Sequence, residues 1–140
     1  MIVFNKHLLL PILLIFLLAL PFTGCQKHYP VADKLSQAEI YMNEEPEAAL
    51  RVLESIGQPD LHTKEHHARY ALLYSQALDK NYIDRTDFEV LQPAIDYYEN
   101  HGSATDKLRT FYYQGRIYYN RGEPEEAMEC YIKSLDLGAG

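Results

Sequence analysis

The chain has 140 residues and a formal net charge of −7, from 13 Lys and Arg against 20 Asp and Glu. This acidic balance gives the protein no electrostatic reason to bind nucleic acid or anionic lipid, so neither is predicted as a partner on charge grounds. The length left after an amino-terminal targeting segment fits one domain with a modest core.

Residues 1–24 have the pattern of a targeting segment. Lys6 and His7 precede an apolar run at residues 8–22, which is shorter than the roughly 20 residues of a membrane-spanning helix and typical of a signal peptide. The following Phe-Thr-Gly-Cys resembles a bacterial lipobox, and the resemblance implies a cleaved lipoprotein signal peptide with lipidation at Cys25. Two or more acyl chains would anchor the protein stably. An ordinary secretory signal with a chance cysteine, or a retained anchor, is the alternative.

Residues 25–32 are predicted to be a short lipidated tether, and residues 33–137 a helical domain. Its first hairpin is predicted at residues 33–43 and 46–56, because apolar side chains recur there at spacings of three and four. The two stripes consist of Leu35, Ala38 and Met42, and of Ala49, Leu50, Leu53 and Ile56.

The second hairpin is predicted to begin with Thr63 as the N-cap of a helix at residues 64–80. Thr86 and Glu89 fit a capping box for a helix that runs to about residue 100. Pro93 within it predicts a kink or a start nearer Leu91. The predicted packing residues are Ala68, Tyr70, Ala71, Leu72, Tyr74, Ser75 and Leu78 in the first helix, and Phe88, Leu91, Ala94, Ile95 and Tyr98 in the second.

Residues 108–135 form the best-defined helix pair. Gly122 and Pro124 end one helix and begin the next, in agreement with the usual positions of these residues at helix termini. Gly115 predicts that the second helix lies almost against the first backbone, because glycine otherwise costs helix stability. The facing residues are predicted to be Leu108, Phe111, Gly115 and Tyr118 on the first helix, and Ala127, Tyr131 and Ser134 on the second.

This pattern resembles a tetratricopeptide repeat (TPR), a helix–turn–helix unit of about 34 residues. Gly115, Tyr118, Ala127, Tyr131 and Ser134 stand at the family's characteristic positions, whereas Phe111 replaces its Trp and Gln114 its Leu. The resemblance implies an all-α, right-handed superhelical stack of about three TPR-like hairpins. Over its whole length the chain looks like the N-terminal part of TPR lipoproteins of the Bacteroidetes type, through the FTGCQK region and residues 47–56, 68–82 and 108–119.

No catalytic constellation is present in the sequence. There is no glycine-rich phosphate loop, GxSxG, HExxH or paired-cysteine metal site, and we predict no enzyme activity and no cofactor. His62, His66 and His67 come nearest to a ligand set, but a solvated helix start explains them better than a metal site. Cys130 is predicted to be a small packed residue.

A second stripe on residues 108–120 lies beside the packing stripe and holds the candidate binding residues. In TPR proteins the corresponding positions line a concave groove that holds peptides, and Arg and Tyr often anchor interfaces. The stripe is predicted to bind an acidic or C-terminal peptide, with its arginines pairing the carboxylates. A solvated face or contact with a neighbouring repeat is the alternative. The candidates are Arg109, Tyr112, Arg116, Tyr119 and Asn120.

The sequence therefore favours a non-catalytic protein–protein interaction module, anchored by its lipid in the cell envelope and facing the periplasm. The alternative is the truncated sensory or scaffold portion of a larger TPR-containing signalling or transcription-regulating membrane protein. The expected partner is a protein or peptide. Because the last hairpin has no capping helix, self-association through it is also predicted.

Overall fold

The computed structural model describes residues 30–139, which form six α-helices and no strand. The predicted all-α class is confirmed for this part of the chain. Residues 1–29, with the targeting segment and Cys25, lie outside it. None of the helices described is both long and apolar enough to cross a bilayer. The helices are α1 (Val31–Tyr41), α2 (Pro46–Glu54), α3 (Lys64–Lys80), α4 (Gln92–Tyr98), α5 (Ala104–Arg121) and α6 (Pro124–Gly138), with a 3-10 turn at Gln58–Asp60.

The first hairpin is formed by α1 and α2. Pro46 occupies the first position of α2, where its missing N–H costs no hydrogen bond. Both helices end two residues before their predicted limits, and α1 begins at Val31, inside the predicted tether. The predicted apolar stripes, apart from the half-buried Leu50, meet in one buried cluster. Leu61 and two residues of α3 that were not predicted complete this cluster. Its members are Leu35, Ala38, Met42, Ala49, Leu53, Ile56, Leu61, Leu73 and Ala77.

The second hairpin has a long first helix and a short second one. Thr63 caps α3 as predicted, since its Oγ1 accepts a hydrogen bond of 3.0 Å from the His66 N–H. The predicted capping box at Thr86 is wrong, because the Glu89 N–H donates instead to Asp87 Oδ1, at 3.1 Å. The helix starts later, at Gln92, with Pro93 in its first turn. A proline deeper in the helix would clash with the preceding turn, so the predicted later start is confirmed.

The third hairpin is formed by α5 and α6. Gly122, at φ 79°, ends α5 in the left-handed conformation that favours glycine. Pro124 then begins α6. A Cβ added to Gly115 would lie 2.5 Å from Cε1 of Tyr131. The predicted close approach of the two helices at Gly115 is therefore confirmed.

Helix α5 has two packing sides, and the sequence revealed only one of them. Of the residues predicted to pack, Leu108 and Phe111 are half-buried beside α6. The half-buried Tyr118 ring instead meets Phe88 of the second hairpin, with 5.0 Å between the ring centroids. The more deeply buried large side chains, Tyr113 and Ile117, point towards the second hairpin instead. There they join a cluster with Ala68, Ala71, Leu72, Leu91, Ala94 and Tyr98.

The hairpins contact one another in chain order. Helix α3 packs against both α1 and α2, and α5 packs against both α3 and α4. The first helices of the three hairpins, α1, α3 and α5, are therefore neighbours, and the candidate binding stripe lies on the last of them.

Candidate functional site

The five candidate residues lie along one side of α5, but they differ in their surroundings. Tyr112 and Tyr119 are exposed, whereas Arg109, Arg116 and Asn120 are half-buried. The three half-buried residues face α3 and the loop that follows it. Each of them has hydrogen-bond partners within the chain.

Arg109 belongs to a polar network that joins three helices. Its Nη1 donates to Glu39 Oε1 on α1 at 3.2 Å, and its Nη2 donates to the side-chain oxygen of Gln76 on α3. Arg69 on α3 reaches the other oxygen of the same carboxylate, with 2.8 Å between Nη2 and Oε2. Glu39 therefore links α1, α3 and α5 through two guanidinium groups.

The charge state of Glu39 follows from this pairing. Burial by itself would raise the pKa of the carboxyl, but the hydrogen bonds and positive charges of Arg69 and Arg109 outweigh burial and hold the pKa below its ordinary value of 4.5. The carboxylate consequently keeps its charge in mildly acidic solution.

Arg116 lies seven residues, about two turns, further along α5. Its Nε donates to Asp79 Oδ1 on α3 at 2.6 Å, and this hydrogen bond raises the pKa of the guanidinium. Asn120 donates through Nδ2 to the Arg85 carbonyl oxygen at 3.2 Å. Arg116 also lies over the Tyr119 ring, at 5.9 Å from its centroid. Two of the five candidates thus fasten α5 to the end of α3 and its loop.

An open cavity of about 410 Å³ lies where α1, α3 and α5 meet the end of α4. Two arginines and three carboxylates face it, together with apolar and aromatic side chains, so it can offer both ion pairing and stacking. Of the five candidates only Arg109 lines it. The lining residues are Glu39, Glu65, Arg69, Leu72, Leu73, Tyr97, Tyr98, Gly102, Asp106 and Arg109.

Sequence reasoning missed Glu39, Arg69, Gln76 and Asp79, which contact the candidate arginines. A signal for part of this set exists on α3: Arg69, Gln76 and Asp79 are separated by seven and three residues, and so share one side of a helix. Arg109 and Arg116 are also seven apart. Matching spacings of polar residues on two helices could have suggested that these helices pair.

The histidines and Cys130 lie apart from the candidate residues of α5. Within residues 30–139 no group of three or more His, Cys, Asp and Glu side chains is placed to hold a metal ion. His62 and His66 line a separate cavity of about 330 Å³ at the start of α1. Cys130 is buried, as predicted, and burial raises the pKa of its thiol, which lowers the thiolate fraction.

Comparison of the chain with models of known protein families, with curated proteins and with solved structures gave no match.

Proposed function

We propose that the protein is a non-catalytic interaction module, a right-handed stack of three TPR-like hairpins that a lipid on Cys25 anchors in the cell envelope, facing the periplasm. The observation that carries the proposal is the side-by-side order of α1, α3 and α5, with an open cavity of about 410 Å³ between them. A groove along the first helices of successive hairpins suits an extended peptide or a helix of a partner. The alternative is a sensory or scaffold portion of a larger signalling or transcription-regulating membrane protein.

The partner segment proposed for this groove is acidic, or ends in a free carboxylate. Glu39, the carboxylate that Arg69 and Arg109 share, is 45% exposed, so the carboxylate of such a segment can approach both arginines from solvent. A ligand carboxylate would then compete with Glu39 for Arg69 and Arg109, and a second one with Asp79 for Arg116. Because of this competition, Arg109→Met and Glu39→Gln are expected to change partner binding in opposite directions.

Opposed substitutions test this groove. Arg109→Met removes a cation and its pairing, so recovery of the partner should fall. Glu39→Gln keeps both arginines and removes their internal competitor, so recovery should rise. The measurement is quantitative proximity labelling from a label fused to the C-terminus, in cells that carry each variant, with partners ranked by enrichment over the unlabelled strain.

Glu44→Gln is the matched control, since Glu44 is an exposed glutamate in the turn after α1. It removes the same charge without touching either arginine. If Arg109→Met and Glu39→Gln shift no partner, or shift partners in the same direction, the acidic-segment proposal fails. The anchor is tested separately: Cys25→Ser should move the protein from the membrane fraction to the soluble fraction and abolish incorporation of labelled palmitate.

A further inference from the structure

One apolar surface of the third hairpin is left exposed by residues 30–139. Met128, Ile132 and Leu135 lie on one side of α6, at spacings of four and three, and are 58%, 51% and 72% exposed. Tyr131 lies beside them, and its ring centroid is 5.8 Å from that of the exposed Tyr112 on α5. We call these five residues the end face.

The preceding hairpin shows what covers the equivalent surface. Ala94 on α4 and Ala127 on α6 are both buried, and a tyrosine follows each of them after four residues. Tyr98 is only 5% exposed, because α5 packs over it with Tyr113 and Ile117. Tyr131 remains half-buried. The end face of the third hairpin is therefore the counterpart of the surface on which the second hairpin receives α5.

The charge around the end face is acidic. Glu125, Glu129 and Asp136 are exposed and share the edge of α6 that lies opposite Tyr112. Only one basic residue, Lys133, is present on this helix. An occupant that carried acids along that edge would meet like charge, whereas a basic one would be attracted.

The covering helices inside the molecule have matching chemistry. Helix α5 combines its apolar side with Arg109 and Arg116, which pair with carboxylates of α1 and α3. On its other edge Lys107 donates to the Glu99 carbonyl oxygen after α4, at 3.3 Å. Helix α3 likewise brings Arg69 to Glu39. The basic residues of these covering helices thus meet oxygen acceptors on the first helices α1 and α3 and just after α4.

We propose that the end face binds one amphipathic helix of a partner protein, whose basic residues meet the acidic edge of α6. This goes beyond the groove function, because Met128, Ile132 and Leu135 do not line the groove. A second copy of the chain fits less well. In a two-fold dimer with α6 antiparallel to its copy, the acidic edge of one helix would meet the acidic edge of the other.

The chain itself supplies a probe for this docking. A synthetic peptide of residues 104–121 has the sequence of the covering helix α5, with Lys107, Arg109, Arg116 and Arg121 against a single acid, Asp106. The full chain is reconstituted in phosphatidylcholine nanodiscs, which carry no net charge, and binding of the fluorescein-labelled peptide is followed by anisotropy. We expect saturable binding above that to empty nanodiscs.

Substitutions locate the binding surface. Ile132→Ser and Leu135→Ser should each weaken peptide binding by about tenfold or more, because each removes a large apolar side chain from the contact. Ile40→Ser is the matched control: Ile40 is 76% exposed on α1, at the other end of the stack, and its loss should leave affinity unchanged. A charge-reversed peptide, with Lys107→Glu, Arg109→Glu and Arg116→Glu, is tested on the wild-type protein. Its affinity should be no higher than that of the unaltered peptide for Leu135→Ser.

Three results would overturn the proposal. The first is the absence of saturable binding, and the second is equal binding of the peptide to wild type and to Leu135→Ser. The third is equal binding of the charge-reversed and the unaltered peptide to the wild-type protein. Sedimentation of the full chain in detergent micelles tests the second-copy alternative. A dimer that Leu135→Ser dissociates and the peptide does not would assign the end face to a second copy.

Discussion

Gly115 shows how a single missing Cβ allows the third hairpin to close. The residue lies in the middle of α5, where glycine ordinarily destabilises a helix. Its hydrogen atom leaves room for the Tyr131 ring, whose Cδ1 and Cε1 would both lie under 3 Å from an added Cβ. Ser134 strengthens the same contact further along α6, since its Oγ donates to the Leu108 carbonyl oxygen at 3.0 Å. The backbone of α5 is therefore part of the interface.

The effect of Gly115→Ala on the free energy of unfolding should have opposite signs with tyrosine and with alanine at position 131. In the wild-type background Gly115→Ala is expected to lower the free energy of unfolding by about 1–3 kcal/mol, because the new methyl group overlaps the ring. In a Tyr131→Ala background the overlap is gone, and the same change should stabilise by about 0.5–1 kcal/mol through helix propensity. Urea unfolding of all four proteins, followed by circular dichroism, measures both values. A cost that is equal in the two backgrounds would contradict the ring contact.

Helix beginnings in this protein depend on local hydrogen bonds that the sequence suggests only in part. Ser103 begins α5 with a reciprocal pair: its Oγ accepts from the Asp106 N–H at 3.2 Å, and Asp106 Oδ2 accepts from the Ser103 N–H at 2.9 Å. Thr86 and Glu89 have the same spacing of three but form no such pair, and no helix begins there. A capping sequence therefore acts only where the chain beyond it can continue as a helix.

Paired alanine substitutions at these two positions should differ in effect. Ser103→Ala is expected to cost about 1 kcal/mol of unfolding free energy, because it leaves an N–H at the start of α5 without its acceptor. Thr86→Ala removes a similar hydroxyl from an exposed loop and should change stability by less than about 0.5 kcal/mol. Thermal and urea unfolding of both variants provide the comparison. A loss at Thr86→Ala as large as at Ser103→Ala would show that the threonine has a structural role after all.

The sequence predicted the helix pairs where a local rule was sufficient. Thr63, Pro93 and Gly122 act through their own backbone geometry, so their effects could be derived from neighbouring residues alone. Tyr113 and Ile117 were missed because α5 is buried on two sides, and a single periodic stripe identifies only one. Arg109 was predicted to lie on a separate stripe, but its partner Glu39 lies 70 residues away in the chain. No spacing rule within a helix can find such a contact.

At the scale of the whole molecule, Glu39 is the acceptor that joins all three hairpins. It receives Arg69 from the second and Arg109 from the third, while it belongs to the first. The side chains are all partly exposed, so each pair contributes modestly. Because both pairs share this carboxylate, protonation of Glu39 alone would weaken the contacts that place α1 relative to α5.

The pH dependence of stability should reveal this carboxylate. Its pKa is lowered in the folded protein, so its contribution is present above the ordinary value of 4.5 and is lost as the pH falls through the lower folded value. We expect the free energy of unfolding of the wild type to exceed that of Glu39→Gln by about 0.5–1 kcal/mol near neutral pH. The two should converge in acid. Urea unfolding of both proteins across this range, with Glu44→Gln as the control for lost negative charge, measures the difference. A difference between wild type and Glu39→Gln that does not shrink in acid would exclude titration of Glu39 as its source.

The ion pair between Arg109 and Glu39 also has a consequence for the order of folding. Gly115 and Tyr131 are 16 residues apart and can meet within one hairpin, whereas Arg109 and Glu39 are brought together only when α1 and α5 have both docked on α3. Contacts of such long sequence separation bear the larger loop-closure cost and tend to form late. Interactions absent from the transition state act on the unfolding rate. The pair should thus lengthen the lifetime of the native state while leaving the speed of its formation almost unchanged.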